Sequence, residues 1–491
     1  MGLLDWRRIL FPGPKHPPIP NVCATNNDSL YFESLNRGGL CIGSSGTGKT
    51  EWAAKQIIDY AIEYPDRGIL ILDASGSLTR SLIRMVLLLP EPLRTQIYRR
   101  LILDIPGHPD YVTPFPFFHP KYGTDYEEQS QRVTKNYETL YSEIIERTPI
   151  MALAIRETLP QLCRLLTAMQ NDSGDPSQIT EAKKLILDAK ALRKAVKKYG
   201  HLVPEARWYF LEDYLKHVTP HERELRSYAL RSVLGNVEPR TMRARFGYPY
   251  PLWTSKEIDE EGLICIVNGE EIINQEKSQA IVFTDVFSQF FAHINTRVPH
   301  DQKNKPILLV IDEVPMLLRI KGFASEIARV SPQYRSRNCQ IFVIFQALWQ
   351  LAENLKDQIW SLGNVTCFLV DDFDEAYRIS QQLFNYDPSS GKQLPDTELL
   401  LAETDRGQYL RDDNWLQHLK HRECVIKRYV TEAQEEEYVA YIQRTTDNPQ
   451  EISDESIQVM KEILLKRRAI PIKEALSVVN QEEPIKRPTI S

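Results

Sequence analysis

Two hydrophobic patterns divide the chain. Short continuous apolar runs recur as "GGLCIG", "RGILILDASG", "RRLILDIPG", "EGLICIVNG", "PILLVIDE", "CQIFVIFQ" and "NVTCFLVDD", most of them closing on turn-forming or acidic residues. Strands buried on both faces need continuous rather than alternating runs, so these predict a parallel sheet. Between the first two, "KTEWAAKQIIDYAIEY" places apolar residues at helical spacing. Strand, loop, helix, strand is the sequence form of a parallel βαβ unit.

From about residue 122 to 245 the strand pattern gives way to helical periods in "EEQSQRVTKNYETLYSEIIERT", "MALAIRETLPQLCRLLTAM", "QITEAKKLILDAKALRKAVKKYG" and "RELRSYALRSVLGNVEPRTMRARF". Strand runs then return around the long helical stretch "NQEKSQAIVFTDVFSQFFAHI". The pattern therefore predicts an α/β core with a parallel sheet, interrupted by an all-helical insertion. The expected division is an N-terminal segment and connector over 1–35, core over 36–120, insertion over 121–250, core again over 251–448, and a C-terminal helix and tail over 449–491. "QEEEYVAYIQRTT" reads as a closing helix, and the end of the chain as a helix and a loose tail.

Composition narrows the class without deciding it. With 491 residues, 42% hydrophobic and 26% charged, the chain has material for a sizeable core in more than one domain. A net charge of −6 gives no global basic field, so any nucleic-acid surface would be local. Seven cysteines, at 23, 41, 163, 265, 339, 367 and 424, form no CxxC pair, which fits a reducing compartment rather than a disulfide framework or zinc site. The N-terminal "MGLLDWRRILFPGPKHPPIP" lacks the long apolar region of a signal peptide, and the longest apolar runs fall short of a membrane span. The expectation is a cytoplasmic protein with no integral membrane segment.

The chemistry is concentrated in a few places. Gly43-Ser44-Ser45-Gly46-Thr47-Gly48-Lys49-Thr50 is a full G-x-x-x-x-G-K-[ST], placed between a predicted strand and helix. Glycines let backbone N–H groups curl around a phosphate, and the helix that starts there offers amides and its positive dipole end. Lys49 is suited to the β- and γ-phosphates and Thr50 to Mg²⁺, which makes a nucleoside triphosphate with Mg²⁺ the expected pair. The run "ILLVIDEVP" ends in Asp312-Glu313, one acid for the metal and the next to orient and deprotonate an attacking water. Lys49 and Asp312 are 263 positions apart in the sequence, so the helical insertion must be looped out between them. Gln346, closing "CQIFVIFQ", is placed to report on the γ-phosphate. Arg335 and Arg337 in "YRSRNC" are expected at the same sheet end, where one, Arg335 first, acts in trans as an arginine finger on a neighbouring subunit. "EAKKLILDAKALRKAVKKYG" carries seven basic residues against Glu181 and Asp188, a face that suits a phosphate backbone or simply water; "RELRSYALRSVL" to "RTMRARF" is a second such cluster.

Taken together, "GSSGTGKT", "ILILDASGSL", "LILDIPGHPDYVTPFPFF", "LLVIDEVPML", "YRSRNCQIFVIFQALWQL" and the late "LQHLKHRECVIKRY" resemble the HerA/FtsK superfamily, and within it the soluble part of TraG/TraD-type conjugative coupling proteins. The resemblance spans most of residues 36 to 445. It implies a RecA-like P-loop NTPase core assembled as a homo-oligomer, a six-membered ring with ATP at subunit interfaces and double-stranded DNA in the channel. A nuclease, relaxase or secretion-system partner follows as a candidate. Two other classes compete: an ATPase that powers protein secretion or assembly, and a nucleotide-gated scaffold for a partner enzyme.

Overall fold

The computed structural model describes residues 38–118, 126–173, 179–272, 275–312, 334–351, 359–383, 416–417, 419, 421–432, 435–444 and 452–480. Its strands are β1 (Gly39–Ile42), β2 (Ile69–Asp73), β3 (Leu101–Asp104), β4 (Tyr111–Val112), β5 (Ile264–Asn268), β6 (Ile307–Asp312), β7 (Cys339–Phe345), β8 (Asn364–Cys367), β9 (Glu423–Glu432), β10 (Glu435–Arg444) and β11 (Ile470–Pro471). Nine of them form one sheet in the order β10-β9-β8-β1-β7-β6-β2-β5-β3. The seven from β8 to β3 run parallel, and β9 and β10 close one edge antiparallel. All seven parallel strands are apolar runs of the sequence, and every residue of all seven is buried.

Because side chains alternate across a strand, each run feeds two cores. Leu40, Ile42, Leu70 and Leu72 face one side, and Cys41, Ile69 and Ile71 the other. The second side is covered by α1 (Lys49–Glu63) and α2 (Ser77–Leu88), whose Trp52, Ile57, Leu78 and Leu82 join its cluster. Beyond them α3 (Glu91–Arg100) leads into β3.

The helical segment follows β4, with α4 (Tyr126–Leu140), α5 (Leu159–Ser173), α6 (Ile179–Leu187), α7 (Ala189–Tyr199), α8 (Pro220–Leu234) and α9 (Arg240–Gly247). The insertion is not a detached lobe. Its core, including Tyr137, Leu162, Leu192, Phe210 and Leu230, is one apolar cluster with the first sheet face and with α10 (Glu276–Thr296). At the seam, Asp285 of α10 is fully buried and accepts from Arg132 Nη1 at 2.5 Å and Asn136 Nδ2 at 3.0 Å, both on α4.

One expectation changes at the C-terminal side. The stretch expected to be a closing helix is β10, paired with β9 along its ten residues. Tyr438, Val439, Tyr441 and Ile442 are aromatic and β-branched, types that prefer a pleated neighbour over a helix surface. Helix α11 (Phe373–Leu383) follows β8, and after β10 come α12 (Asp454–Arg468) and α13 (Ile472–Val479), which close the described residues. Residues 452–480 supply the expected C-terminal helix and a second one, both built into the body, and the expected tail from residue 481 lies outside the described residues. Ser453 caps α12 by accepting from Ser456 N at 3.2 Å, and Arg467 Nη1 donates to the Tyr98 carbonyl at 2.7 Å. Ile470, Ile472, Ala475 and Val479 form a third core with Val112, Ala244 and Tyr248.

Candidate nucleotide site

Parallel strands end together, so the loops after β1, β7, β6 and β2 share one edge of the sheet. The residue partners Asp73–Asp312 and Asp312–Ile344 fix that alignment. The order β1-β7-β6 then sets the chemistry: the glycine loop leaves β1, Gln346 follows β7, and Asp312 ends β6. Ile42 pairs with Phe345 and Asp312 with Ile344, so residues far apart in sequence end at one sheet edge, and Lys49 and Asp312 both act electrostatically on the Cys41 thiol. Burial itself pushes that thiol well up and leaves it unreactive.

The loop geometry depends on its glycines. Gly46 and Gly48 have φ of 76° and 106°, a region that side-chain-bearing residues avoid. A Cβ on Gly46 would meet nothing within 4 Å, so the loop opens onto empty space there. On its other flank the loop is pinned: Ser44 N donates to the Leu369 carbonyl at 2.7 Å, and Asp371 N donates to Ser44 Oγ at 3.1 Å. Thr47 Oγ1 donates to the Ser44 carbonyl at 2.8 Å. The buried Lys49 ammonium donates to the carbonyls of Gly43 at 2.6 Å and Ser44 at 2.7 Å, folding the loop on itself. Ser45 and Gly46 are exposed, and Thr50 is half-buried on the first turn of α1.

Two helices begin at this edge and differ in how they begin. In α2 the fully buried Asp73 accepts from Gly76 N at 2.8 Å and from Thr79 N at 2.7 Å, so a carboxylate of the chain already occupies its start. In α1 the cap position is Gly48, which supplies no side-chain acceptor. The positive end of α1 therefore faces the open glycine loop, where an external anion takes the role that Asp73 plays for α2. The loop amides would hold a phosphate chain, and Thr50 and Asp312, the latter fully buried at the strand tip, are the residues that would hold a divalent cation. Glu313 lies outside the described residues.

The arginines are corrected. Arg335 and Arg337 precede β7, whereas Gln346 follows it, so they stand at the opposite edge from the loop. Parallel strands put the start and end of β7 on different sides, about 23 Å apart at ~3.3 Å per residue. Neither arginine reaches the site of its own chain. Arg337 Nε donates to the Arg297 carbonyl at 3.2 Å and is half-buried; Arg335 is exposed. On the insertion, Lys190, Arg193, Lys194, Lys197 and Lys198 form the exposed face of α7. The second basic cluster is partly internal: the buried Arg226 pairs with Glu157 and Glu222, and the buried Arg245 donates to Asp104 at 2.7 Å, whereas Arg240 is exposed.

Sequence reasoning missed Leu369, Asp371 and Arg422. Arg422 N donates to the Thr47 carbonyl at 3.0 Å, with φ of 67°, and its side chain lies against Gly48. These contacts are made largely by backbone atoms, which no residue pattern advertises.

Residues 306–397 match the family model described as the TraM recognition site of TraD and TraG. The fold is similar to that of the plasmid coupling protein TrwB in complex with the GTP analogue GDPNP, at 12% identity and TM-score 0.55, covering 91% of this chain and 94% of that one. It is also similar to TrwB in complex with ADP and Mg²⁺, at 11% identity and TM-score 0.54, covering 85% and 88%. The unbound bacterial conjugative coupling protein TrwBdeltaN70 aligns at 13% identity and TM-score 0.51, covering 81% and 82%. No curated protein matches the chain. The resemblance to TraG/TraD-type proteins is thus borne out by the family match and by the RecA-like P-loop fold, a mostly parallel sheet flanked by helices.

Proposed function

We propose that the chain is an Mg-ATP-dependent motor of the coupling-protein type, a ring-forming ATPase that moves double-stranded DNA. The observation that carries the reading is the uncapped start of α1 behind an open glycine loop, at the same sheet edge as the buried Asp312. Gly43 to Lys49 would hold the triphosphate, and Thr50 and Asp312 the metal. Bound Mg²⁺ supplies charge neutralisation for the phosphoryl group in flight. Lys49 supplies a second positive charge, Glu313 orients and deprotonates the attacking water, and Gln346, between the loop and Asp312, senses the γ-phosphate. The placement of Arg335 at the opposite sheet edge favours a site completed by a neighbouring subunit, which is the physical reason for a ring.

DNA as the cargo is supported by the exposed basic face of α7 and by the fold shared with conjugative coupling proteins. Among the described residues no helix is long and apolar enough to cross a membrane. The test is steady-state ATP hydrolysis with and without double-stranded DNA, with Glu313→Gln as blank. The expected result is DNA stimulation that fades as salt rises, because phosphate contacts release counterions. A flat response with active hydrolysis would instead support a protein cargo.

A further inference from the structure

At the sheet edge opposite the glycine loop, the turn Tyr334–Asn338 is held from several sides. Arg337 N donates to the Tyr334 carbonyl at 2.9 Å and Asn338 N to the Arg335 carbonyl at 3.1 Å. Asn338 carries φ of 54°, a left-handed conformation that needs support from its surroundings. Tyr334 is buried with its ring 4.4 Å from Phe291 of α10, and Ile307 N at the start of β6 donates to the Asn338 carbonyl at 3.0 Å. One side chain joins these parts. Arg297, just past the end of α10 and 5% exposed, donates through Nη1 to the Arg337 carbonyl at 2.8 Å. Its own carbonyl receives Arg337 Nε at 3.2 Å.

The other prongs of the Arg297 fork go to Asp259, on the short helix Ser255–Glu261, with Nε at 3.0 Å from Oδ2 and Nη2 on Oδ1. His293 Nε2 lies 2.8 Å from the same Oδ2. Burial would raise the Asp259 carboxyl, but the hydrogen bonds from His293 and Arg297 hold it below the ordinary range. The guanidinium is therefore fixed by a carboxylate through Nε and Nη2, and its third nitrogen, Nη1, donates to the turn's carbonyls of Arg337 and, at 3.5 Å, Asn338. Such a fork has one geometry, and a lysine cannot copy it. Arg335 stands exposed in the middle of the braced turn.

We propose that Arg297, oriented by Asp259 and His293, is a positioning residue that presents Arg335 to the nucleotide site of a neighbouring copy of the chain. The inference rests on the proposed trans role of Arg335. Its energetic sense is that a finger acts on the transition state only if its backbone is already placed. Arg297 is remote from its own chain's glycine loop, so its loss acts on turnover and not on ATP capture.

The experiment is a double-mutant cycle on ATP hydrolysis by the full chain at saturating DNA, with Arg335→Ala, Arg297→Met and the pair, and thermal melts of each. Arg335→Ala should lower kcat by about 1,000-fold, in the range of other arginine fingers. Arg297→Met should lower kcat by about 10- to 100-fold with KM for ATP unchanged, and the double variant should be no slower than Arg335→Ala alone. Arg297→Lys, which keeps the charge against Asp259 and loses the fork, carries the same expectation with a smaller loss and serves if Arg297→Met does not fold. A full effect at Arg335 with no effect at Arg297, a change in KM, or losses that multiply in the double variant would overturn the inference alone. Wild-type turnover by Arg335→Ala would overturn the finger reading, and the inference with it.

Discussion

A buried ammonium must find oxygen, and Lys49 finds it in the carbonyls of its own loop, at 2.6 and 2.7 Å. Those carbonyls belong to Gly43 and Ser44, so one side chain both shapes the loop and is stationed at its mouth. Lys49→Ala is expected to weaken ATP binding by at least about 100-fold, the scale of losing a charge-assisted contact of ~3 kcal/mol. A fluorescent-nucleotide titration checks it, and unchanged affinity would remove the phosphate assignment. The motif was readable in advance because backbone conformation restricts it to glycine at three positions with positive φ, Gly43, Gly46 and Gly48. The flanks were not, because Ser44 is held by the amide of Asp371 and the carbonyl of Leu369. Any residue offers those groups. Arg335 was legible as an exposed arginine, but its edge of the sheet followed from strand direction, which the one-dimensional reading had misplaced.

Elements were legible where hydrophobic continuity was strong and ambiguous where it was not. The seven parallel strands announced themselves through apolar runs, whereas β10 mixes glutamates with tyrosines and valine and satisfied a helical period as well as a strand one. Its partner β9, not its own sequence, decides. The insertion illustrates a different point: helical pieces are easy to see, but the seam to the core is not. That seam includes one ion pair, Arg132 with the fully buried Asp285. Burial raises the Asp285 carboxyl, and Arg132 is the foremost group opposing that rise. Arg132→Met should destabilise the chain by about 3 kcal/mol by leaving the carboxylate without its cation, whereas replacing both members with apolar residues should restore much of the loss. Denaturant midpoints of the single and double variants decide it; equal midpoints for Arg132→Met and wild type would show that the seam does not depend on this pair.

At the scale of the molecule, the C-terminal helices complete two cores that the rest of the chain leaves unfinished. Ile457, Leu464 and Leu465 of α12 cover one sheet face, and α13 packs beside α9. A chain ending at residue 451 should therefore lose cooperative melting and bind a hydrophobic dye, even though the glycine loop is intact; a sharp wild-type transition would show those cores to be closed without it. The same sheet order has a consequence for synthesis. Strand β1 is central, yet its neighbours β7 and β8 come from the far part of the chain. As the polypeptide leaves the ribosome, β1 waits about 300 residues for either, roughly 15–60 s at ~5–20 residues per second. For that interval both of its edges are open to any passing strand, and the glycine loop has no sheet to stand on. The nucleotide site is written early and assembled late, so a nascent chain of this protein is a natural client for chaperones, and stalled translation before Cys339 leaves it without a core to join.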